Sequence, residues 1–580
     1  MKNKIKYIAF LAFSIIIVAG CQDDLLDKKP LDKISSADVW GSKGLIDGYM
    51  ADVYAHVIPM YTFNFQSEDD WSDDIHSDFN RSVTQEVIDD SYNAGWNQYG
   101  KIRLCNQAIT ELERSEVLSE QEQKESLAEA KMLRAMTYFW MVRRFGGVMK
   151  VDRVLEPTED MKLPRASESE MIDFMVEDLK YAKDNLPQTS PKGRLNRAAA
   201  HAFLVRVLLH GLRYNEVITE ANDFINVKEN YGYAIDPDFN GIHNNFGGVN
   251  SSDNIFVRYG DSDGLHMENT PMQYRLPLAN GENDKPETIN DYEPSYYGWA
   301  MQYPTQDLAD AFLMIDDDGV AKKWWETNLW QQHKDDGEMA TAWMYKNRDN
   351  RFYATLIYDG AIYSGDTINI RPPYWAHRSQ MTRNLHRAMT GYLFRKGMYD
   401  DLANFGWPPR PQEYHWPLIR VSEVYLNYAE ALIRTGKEGD ALPYINATRT
   451  IHGQLPEVTS IANILEVYKN ERRCELAFEL HRYWDLIRWA KAENLNTVPE
   501  LNVEPTYIDI SSDGSTYAVL TVNGDFVSGD QDFYNTIENK VYNNGGVFAP
   551  RVFTQKRFYF PVPRSEMQEN PNLAPQNPGW

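Results

Sequence analysis

Apolar residues recur at helical spacing through the first and last parts of the chain. Between Glu120 and Phe145 they fall at Leu127, Ala130, Leu133, Met136, Trp140 and Met141/Val142, the stripe of a helix with one buried face, and Gly146-Gly147 closes it. The segment before it, Trp96 to Leu112, carries Tyr99, Ile102, Ala108, Ile109 and Leu112 at compatible spacing. A second pair reads Asn196–Leu212 and Tyr214–Ile225, broken near Gly211. A third runs from Val421 through Val424, Tyr428, Ala431 and Leu432, stops at Gly436 and resumes from Gly439 to Ile451. One further helix is predicted from Ile461 to about Trp489. Helix pairs of about 34 residues with Ala and Tyr at contact positions have the period of tetratricopeptide repeats, though without their strict consensus. Such pairs stack side by side and bury a shared face.

Between Asp236 and Trp416 the pattern changes. Gly, Pro, Asn and Asp punctuate short apolar runs such as Asn254–Tyr259 and Arg351–Tyr358, which predicts loops, a few short strands and brief helices such as Pro304–Phe312. A similar mixed tail runs from Thr497 to Phe558. The predicted class is therefore mostly α: a helix-pair scaffold over about residues 37–230 and 418–490, packed against a loop-rich part over about 236–416. Loops on a rigid scaffold are where binding functions usually sit.

The amino terminus follows a different rule. Lys2, Lys4 and Lys6 precede an apolar run from Ile8 to Val18, then Ala19, Gly20 and Cys21. A basic start, a short apolar stretch and small residues before the cut describe an export signal over residues 1–20. The run falls short of the roughly 20 apolar residues that span a bilayer. Val18-Ala19-Gly20-Cys21 resembles the lipobox of bacterial lipoproteins, in which the cysteine is acylated and begins the mature chain, here 21–580. Several acyl chains on one residue anchor a protein stably. The acidic patch Gln22-Asp23-Asp24 with Asp27 resembles a Gram-negative surface-export signal, so the expected location is the outer membrane, exposed at the cell surface.

Charge narrows the partners. With 59 Lys+Arg against 84 Asp+Glu the formal charge is −25, which argues against nucleic acid, whose binding rests on basic contacts to phosphate. Besides Cys21 there are only Cys105 and Cys474, so no disulfide framework is expected. The chain has no HExxH, P-loop or dinucleotide-binding glycine pattern, and its 12 His lack metal-ligand spacing. No catalytic residue and no cofactor is expected.

The acidic run Glu68-Asp69-Asp70-Trp71-Ser72-Asp73-Asp74-Ile75-His76-Ser77-Asp78 has four readings: a solvated loop, a sugar-binding surface, a calcium site, or a carboxylate pair for glycoside hydrolysis. Asp316-Asp317-Asp318-Gly319 and Asp261-Ser262-Asp263-Gly264 are partial echoes of a calcium loop, and neither completes the twelve-residue pattern. A sugar-binding surface needs flat aromatic faces beside hydrogen-bonding side chains. The loops offer Asp70, Trp71, Asp73 and Arg81 with Trp96; Tyr292, Tyr296, Tyr297 and Trp299 within eight residues; Trp325 beside Trp324; and Trp375 beside Tyr374. These are the candidate ligand-binding residues.

The order of motifs resembles the SusD/RagB-like outer-membrane lipoproteins. Ala37-Asp38-Val39-Trp40 leads into a helix to Tyr54, followed by Trp96-Asn97-Gln98-Tyr99 and Glu129-Ala130-Lys131-Met132-Leu133-Arg134-Ala135 with Arg144-Phe145-Gly146-Gly147. Pro304-Thr305-Gln306-Asp307-Leu308 and Arg348-Asp349-Asn350-Arg351-Phe352 come next. Then follow Arg420–Leu426, Glu471-Arg472-Arg473, Arg482-Tyr483-Trp484-Asp485-Leu486, Pro561-Val562-Pro563 and the closing Asn570–Gly579. Met149 and Leu480-His481 depart from the family's usual proline and glycine. The resemblance implies four tetratricopeptide-like helix pairs against an irregular half, capture of nutrient glycan without chemistry on it, and delivery to a SusC-like TonB-dependent transporter that the protein covers as a lid. It carries no binding residue across, and a peptide-binding relative or, further off, a surface glycoside hydrolase stays open. Glu471, Arg472, Glu475 and Glu479, with Arg482 and Asp485, are read as a helical ladder that pairs between helices.

Overall fold

The computed structural model describes residues 39–58, 68–77, 81–260, 275, 302–363, 365–372, 388–400, 413–538, 540 and 550–580. Among these residues, ten helices of more than ten residues form the larger part: α1 Lys43–Val57, α2 Tyr99–Leu112, α3 Glu120–Phe145, α4 Glu168–Asn185, α5 Arg197–His210, α6 Tyr214–Val227, α7 Val421–Arg434, α8 Glu438–Ile451, α9 Ile464–Glu475 and α10 Arg482–Ala492. α2 packs on α3, α3 on α4, α4 on α5, α5 on α6, α6 on α7 and α7 on α8, so each helix lends its apolar face to the next. Two of them begin on complete capping boxes, Ser119 with Glu122 for α3 and Ser167 with Glu170 for α4, which satisfy backbone N–H groups the first turn leaves free. The sequence reading left α4 unassigned. Its box and its buried Met171, Met175 and Leu179 carry the signal.

The helices share one apolar core. A second core lies under the irregular part and gathers Phe312, Trp324, Phe352, Tyr392, Phe394, Tyr507 and Leu520. Short antiparallel ladders build that part: β1 Ile75–Ser77 pairs with β3 Gln302–Pro304, β2 Asn254–Gly260 with β4 Tyr414–Arg420, and β5 Thr506–Ile510, β6 Tyr517–Thr521 and β7 Phe526–Gly529 form a three-stranded sheet. β4 runs directly into α7 and so ties the two cores together. The run Arg351–Tyr358 is mainly a short helix, Asn350–Thr355, capped by Asp349, with only Leu356–Ile357 as strand. The predicted turn of helix after Pro304 is Gln306–Ala309.

The helix expected from Ile461 to Trp489 is two helices. α9 stops at Glu475, and the chain then passes through positive φ at Phe478 (63°) and Leu480 (64°) before α10 begins at Arg482. Buried side chains hold the break open. The Glu475 carbonyl accepts from Lys396 Nζ at 3.0 Å and Arg420 Nη2 at 3.2 Å, and Asp69 Oδ1 accepts the Leu480 N–H at 3.1 Å. Glu479 and Arg482 therefore do not continue a single ladder.

Between the cores lies a layer of buried charge. Arg351 holds Asp349, Glu471 and Glu475 at 2.7, 2.5 and 3.1 Å, and Arg420 holds Asp253, Glu475 and Glu479 at 2.6, 2.9 and 2.7 Å. Arg472 and Arg488 share Asp485, each at 2.7 Å. The expectation that the carboxyl-terminal motif pairs charges between elements holds. Cys105 and Cys474 are buried free thiols. No helix among the described residues is long and apolar enough to cross a membrane.

Candidate functional site

The acidic run is structural. Glu68 accepts from Arg143, from Arg144 Nε at 2.9 Å and from the Trp484 indole at 2.9 Å. Asp73 takes a two-point contact from Arg482, both bonds 2.8 Å, with Arg473 3.0 Å away, and Asp74 accepts from Arg473 Nε at 2.7 Å. These guanidinium groups hold the Asp73 carboxyl well below its usual range against the burial that opposes it. Asp70 accepts from Gln302 at 2.6 Å, and burial pushes its carboxyl up to about 8. The placement of Asp70 and Asp73 among ligand-binding residues is thus corrected: their oxygens are enclosed or held by arginines, and the pair proposed for hydrolysis has no free face.

Trp71 and Trp96 need the same correction. Trp71 is 6% exposed and packs edge-on against Tyr483 and Trp484, and Trp96 is 1% exposed against Phe145 at 5.0 Å. Aromatics in a charged stretch looked like surface rings; they are the apolar filling between α3, α10 and the closing segment. Arg81 is half-buried in a turn. Tyr292, Tyr296, Tyr297, Trp299, Trp375 and Cys21 lie outside the described residues, as does Asp261–Gly264. Trp325 is the described candidate with an open ring: 43% exposed, set at 90° to the buried Trp324 and with Lys323 Nζ 5.9 Å from its centre. Trp324 in turn is locked by its indole bond to Asp310 at 2.8 Å and by edge contacts to Trp330 and Tyr517.

Among the described residues two carboxylate clusters have cation-like spacing, and each already holds a positive side chain. Lys322 Nζ bonds Asp316 at 2.6 Å and Asp318 at 2.7 Å, while Asp316 also accepts the N–H groups of Asn328 and Leu329. In the buried group Asp253, His452 and Glu475, the Arg420 guanidinium bridges the two carboxylates. A side-chain cation already supplies in each place the charge that calcium would bring.

A cleft the sequence reading did not single out lies where the start of α5 meets β2, with a volume of about 300 Å³. Its walls include Ser190, Asn196, Tyr233, Ser251, Ser252 and Asn254, with Lys192 and Arg194, and no Asp or Glu. Asn196 is fixed at both ends: its oxygen caps α5 at the Ala199 N–H (2.9 Å) and its amide donates to the Tyr233 hydroxyl at 2.8 Å. That hydroxyl donates to the Ile255 carbonyl at 3.3 Å. Arg194 is held by Glu129, at 2.9 Å from Nε, and lies over the Tyr54 ring. Tyr259, 38% exposed, lies against Gly193, where a Cβ would stand 3.3 Å from the ring, and Gly193 has φ +78°. Preset hydroxyl, amide and backbone groups beside two tyrosine rings suit a polyhydroxylated ligand of one or two rings, at the small end of ligand clefts. Only the Ser/Asn content of two connecting loops signals this cleft in the sequence, and such loops are common connectors.

Two family models match the chain: the SusD family over residues 252–580, and a family described as starch-binding, associating with outer membrane, over residues 24–209. A SusD-like protein of Bacteroides ovatus is 24% identical over 508 residues, 84% of this chain and 83% of the relative. A crystal structure of a SusD-like protein from Bacteroides fragilis superposes with a TM-score of 0.73 at 25% identity, covering 95% of this chain and all of that one. A SusD-like carbohydrate binding protein from the same species superposes at 0.71 and 22% identity, covering 92% and 100%.

Proposed function

The chain belongs to the SusD family, and from that premise we propose that it is a cell-surface lipoprotein that captures an oligo- or polysaccharide and passes it, uncut, to a SusC-like TonB-dependent transporter. The observation that carries this reading is the 300 Å³ cleft of hydroxyl and amide side chains with Tyr233, without a carboxylate in its wall. Such a wall binds sugar hydroxyls and has no acid–base pair with which to cleave between them. The name of the Bacteroides fragilis carbohydrate binding relative supports the ligand class, and the family described as associating with outer membrane supports the location. The Val18-Ala19-Gly20-Cys21 site supports the lipid anchor. Rigid side chains favour capture from dilute solution, because ordering a flexible one on binding costs about 0.5–1.5 kcal/mol.

Binding of the purified protein to a panel of polysaccharides and peptides, followed by an assay for new reducing ends, tests the proposal. Retention of at least one polysaccharide, no peptide and no new ends is the expected result. Peptide binding alone, or cleavage of a bound glycan, overturns it.

A further inference from the structure

A second, smaller cavity lies against β4, and arginines dominate its charged wall. It has a volume of about 50 Å³ and is walled by α3, α5, α9, α10 and the break between the last two. Four arginines line it, Arg143, Arg206, Arg472 and Arg488, against two carboxylates, Glu479 and Asp485. Both carboxylates are already saturated. Glu479 accepts from Lys396 at 2.7 Å and from Arg420 at 2.7 and 2.8 Å, and Asp485 from Arg472 and Arg488, each at 2.7 Å. The remaining acid partners, Glu68, Glu423 and Glu430, are likewise held by Arg143, Arg206 and Arg488.

What is left over is donors. The indole Nε1 of Trp140 and the Nε of Arg143 are buried without a hydrogen-bond partner. The two groups are neighbours, because the Arg143 guanidinium lies 4.0 Å from the centre of the Trp140 ring and 4.8 Å from that of Trp484. Rings cover its faces, so its edges must find acceptors. A buried N–H without one costs about 1–3 kcal/mol, so two side by side in a cavity imply an occupant that accepts and does not need to donate. Burial together with Arg144 and Arg206 depresses the Arg143 guanidinium to about 9, the direction expected where positive charge is undercompensated. His210 and His481, also in the wall, are lowered by burial and add no charge.

We propose that this cavity is a binding site for one compact inorganic anion of halide size, held on α3 between the Trp140 indole and the Arg143 guanidinium. The volume is several times the roughly 10–15 Å³ that one small occupant needs, which leaves room for a halide and accompanying water. Nothing in the site depends on glycan binding.

Crystals of the protein grown in bromide test the placement, and melting curves at constant ionic strength test the energetics. Anomalous density for bromide between Trp140 Nε1 and Arg143 Nε is expected. So is a saturable rise in Tm of about 1–2 °C when chloride or bromide replaces gluconate, a six-carbon anion far larger than a halide. Trp140→Phe keeps the ring over Arg143 and removes the donor, so it should abolish the saturable rise. A water-sized peak with no anomalous signal, or a Tm that follows ionic strength regardless of the anion, overturns the proposal. Should Trp140→Phe fail to fold, the bromide density in the unaltered protein decides alone.

Discussion

The carboxyl of Asp70 is enclosed on all sides, accepts one hydrogen bond from Gln302, and has its second oxygen without a hydrogen-bond partner among the described residues. Its pKa, raised to about 8, lies above the unfolded value near 3.8, so between those pH values the folded state holds a proton the unfolded chain has released. Stability from this group is present below pH 4 and lost as pH rises through 8. Asp70→Asn removes the charge and keeps the acceptor, so it should raise unfolding free energy at pH 7.5 by about 1–2 kcal/mol. That gain, read from denaturant melts, should vanish at pH 4. The position also explains why the acidic run was illegible. Asp73 and Asp74 meet Arg473 and Arg482 across some 400 residues of chain, and a one-dimensional pattern that reads both stretches correctly as charged has no means of joining them. Trp71 and Trp96 fail for the same reason: the rings that bury them come from the far end of the sequence or from α3.

Helices are the scale at which the sequence spoke most clearly. α2, α3, α5, α6, α7 and α8 stand where the apolar stripes put them, because in each case the buried face is continuous. The break after α9 is the exception, since nothing local requires a left-handed Leu480; Lys396, Arg420 and Asp69 impose it through hydrogen bonds to the backbone. That gives the buried charge layer a mechanical role, and Arg420→Met should expose its cost. Three carboxylates, Asp253, Glu475 and Glu479, would lose their shared guanidinium, and breaking one side of a buried ionic set typically costs about 3–5 kcal/mol. An unfolding free energy within 1 kcal/mol of the unaltered protein would contradict this role. His452 makes the layer pH-sensitive. Its Nδ1 faces both Glu475 oxygens at 3.0 and 3.1 Å and its Nε2 faces the Asp236 carbonyl at 2.7 Å, so both nitrogens donate and the ring is a cation. Burial opposes the charge, but Glu475 prevails and holds the pKa above the ordinary value of 6.5. This contribution is therefore complete below pH 6.5 and is lost as pH rises through the folded value. His452→Gln should be most destabilising near pH 5.5, with a deficit that shrinks in melts at pH 8 and above.

At the scale of the molecule, a scaffold of packed helices carries the irregular part, and the proposed glycan binding would fall on two described places: the cleft beside Tyr259 and the open ring of Trp325. Composition pointed to exposed aromatics but could not sort them from core rings, because Trp in a loop and Trp under a loop read alike. Burial sorts them, and binding measurements separate the two kinds. Tyr259→Ala removes a ring that is 38% exposed and whose hydroxyl reaches only the Lys192 carbonyl, at 3.5 Å, so the fold should hardly notice. Glycan affinity should fall at least tenfold, about 1.4 kcal/mol. Trp96→Ala takes a ring from the core and should cost about 3–5 kcal/mol of stability, while the affinity of the fraction that stays folded is unchanged. Trp325→Ala distinguishes one binding surface from two. If a long polysaccharide spans both places, its loss should weaken polymer binding more than binding of a two-sugar fragment, because a second contact on one chain adds effective concentration and a short ligand cannot use it. Equal losses for fragment and polymer would confine recognition to a single place, and no loss with either would remove Trp325 from the site and leave the cleft to act alone.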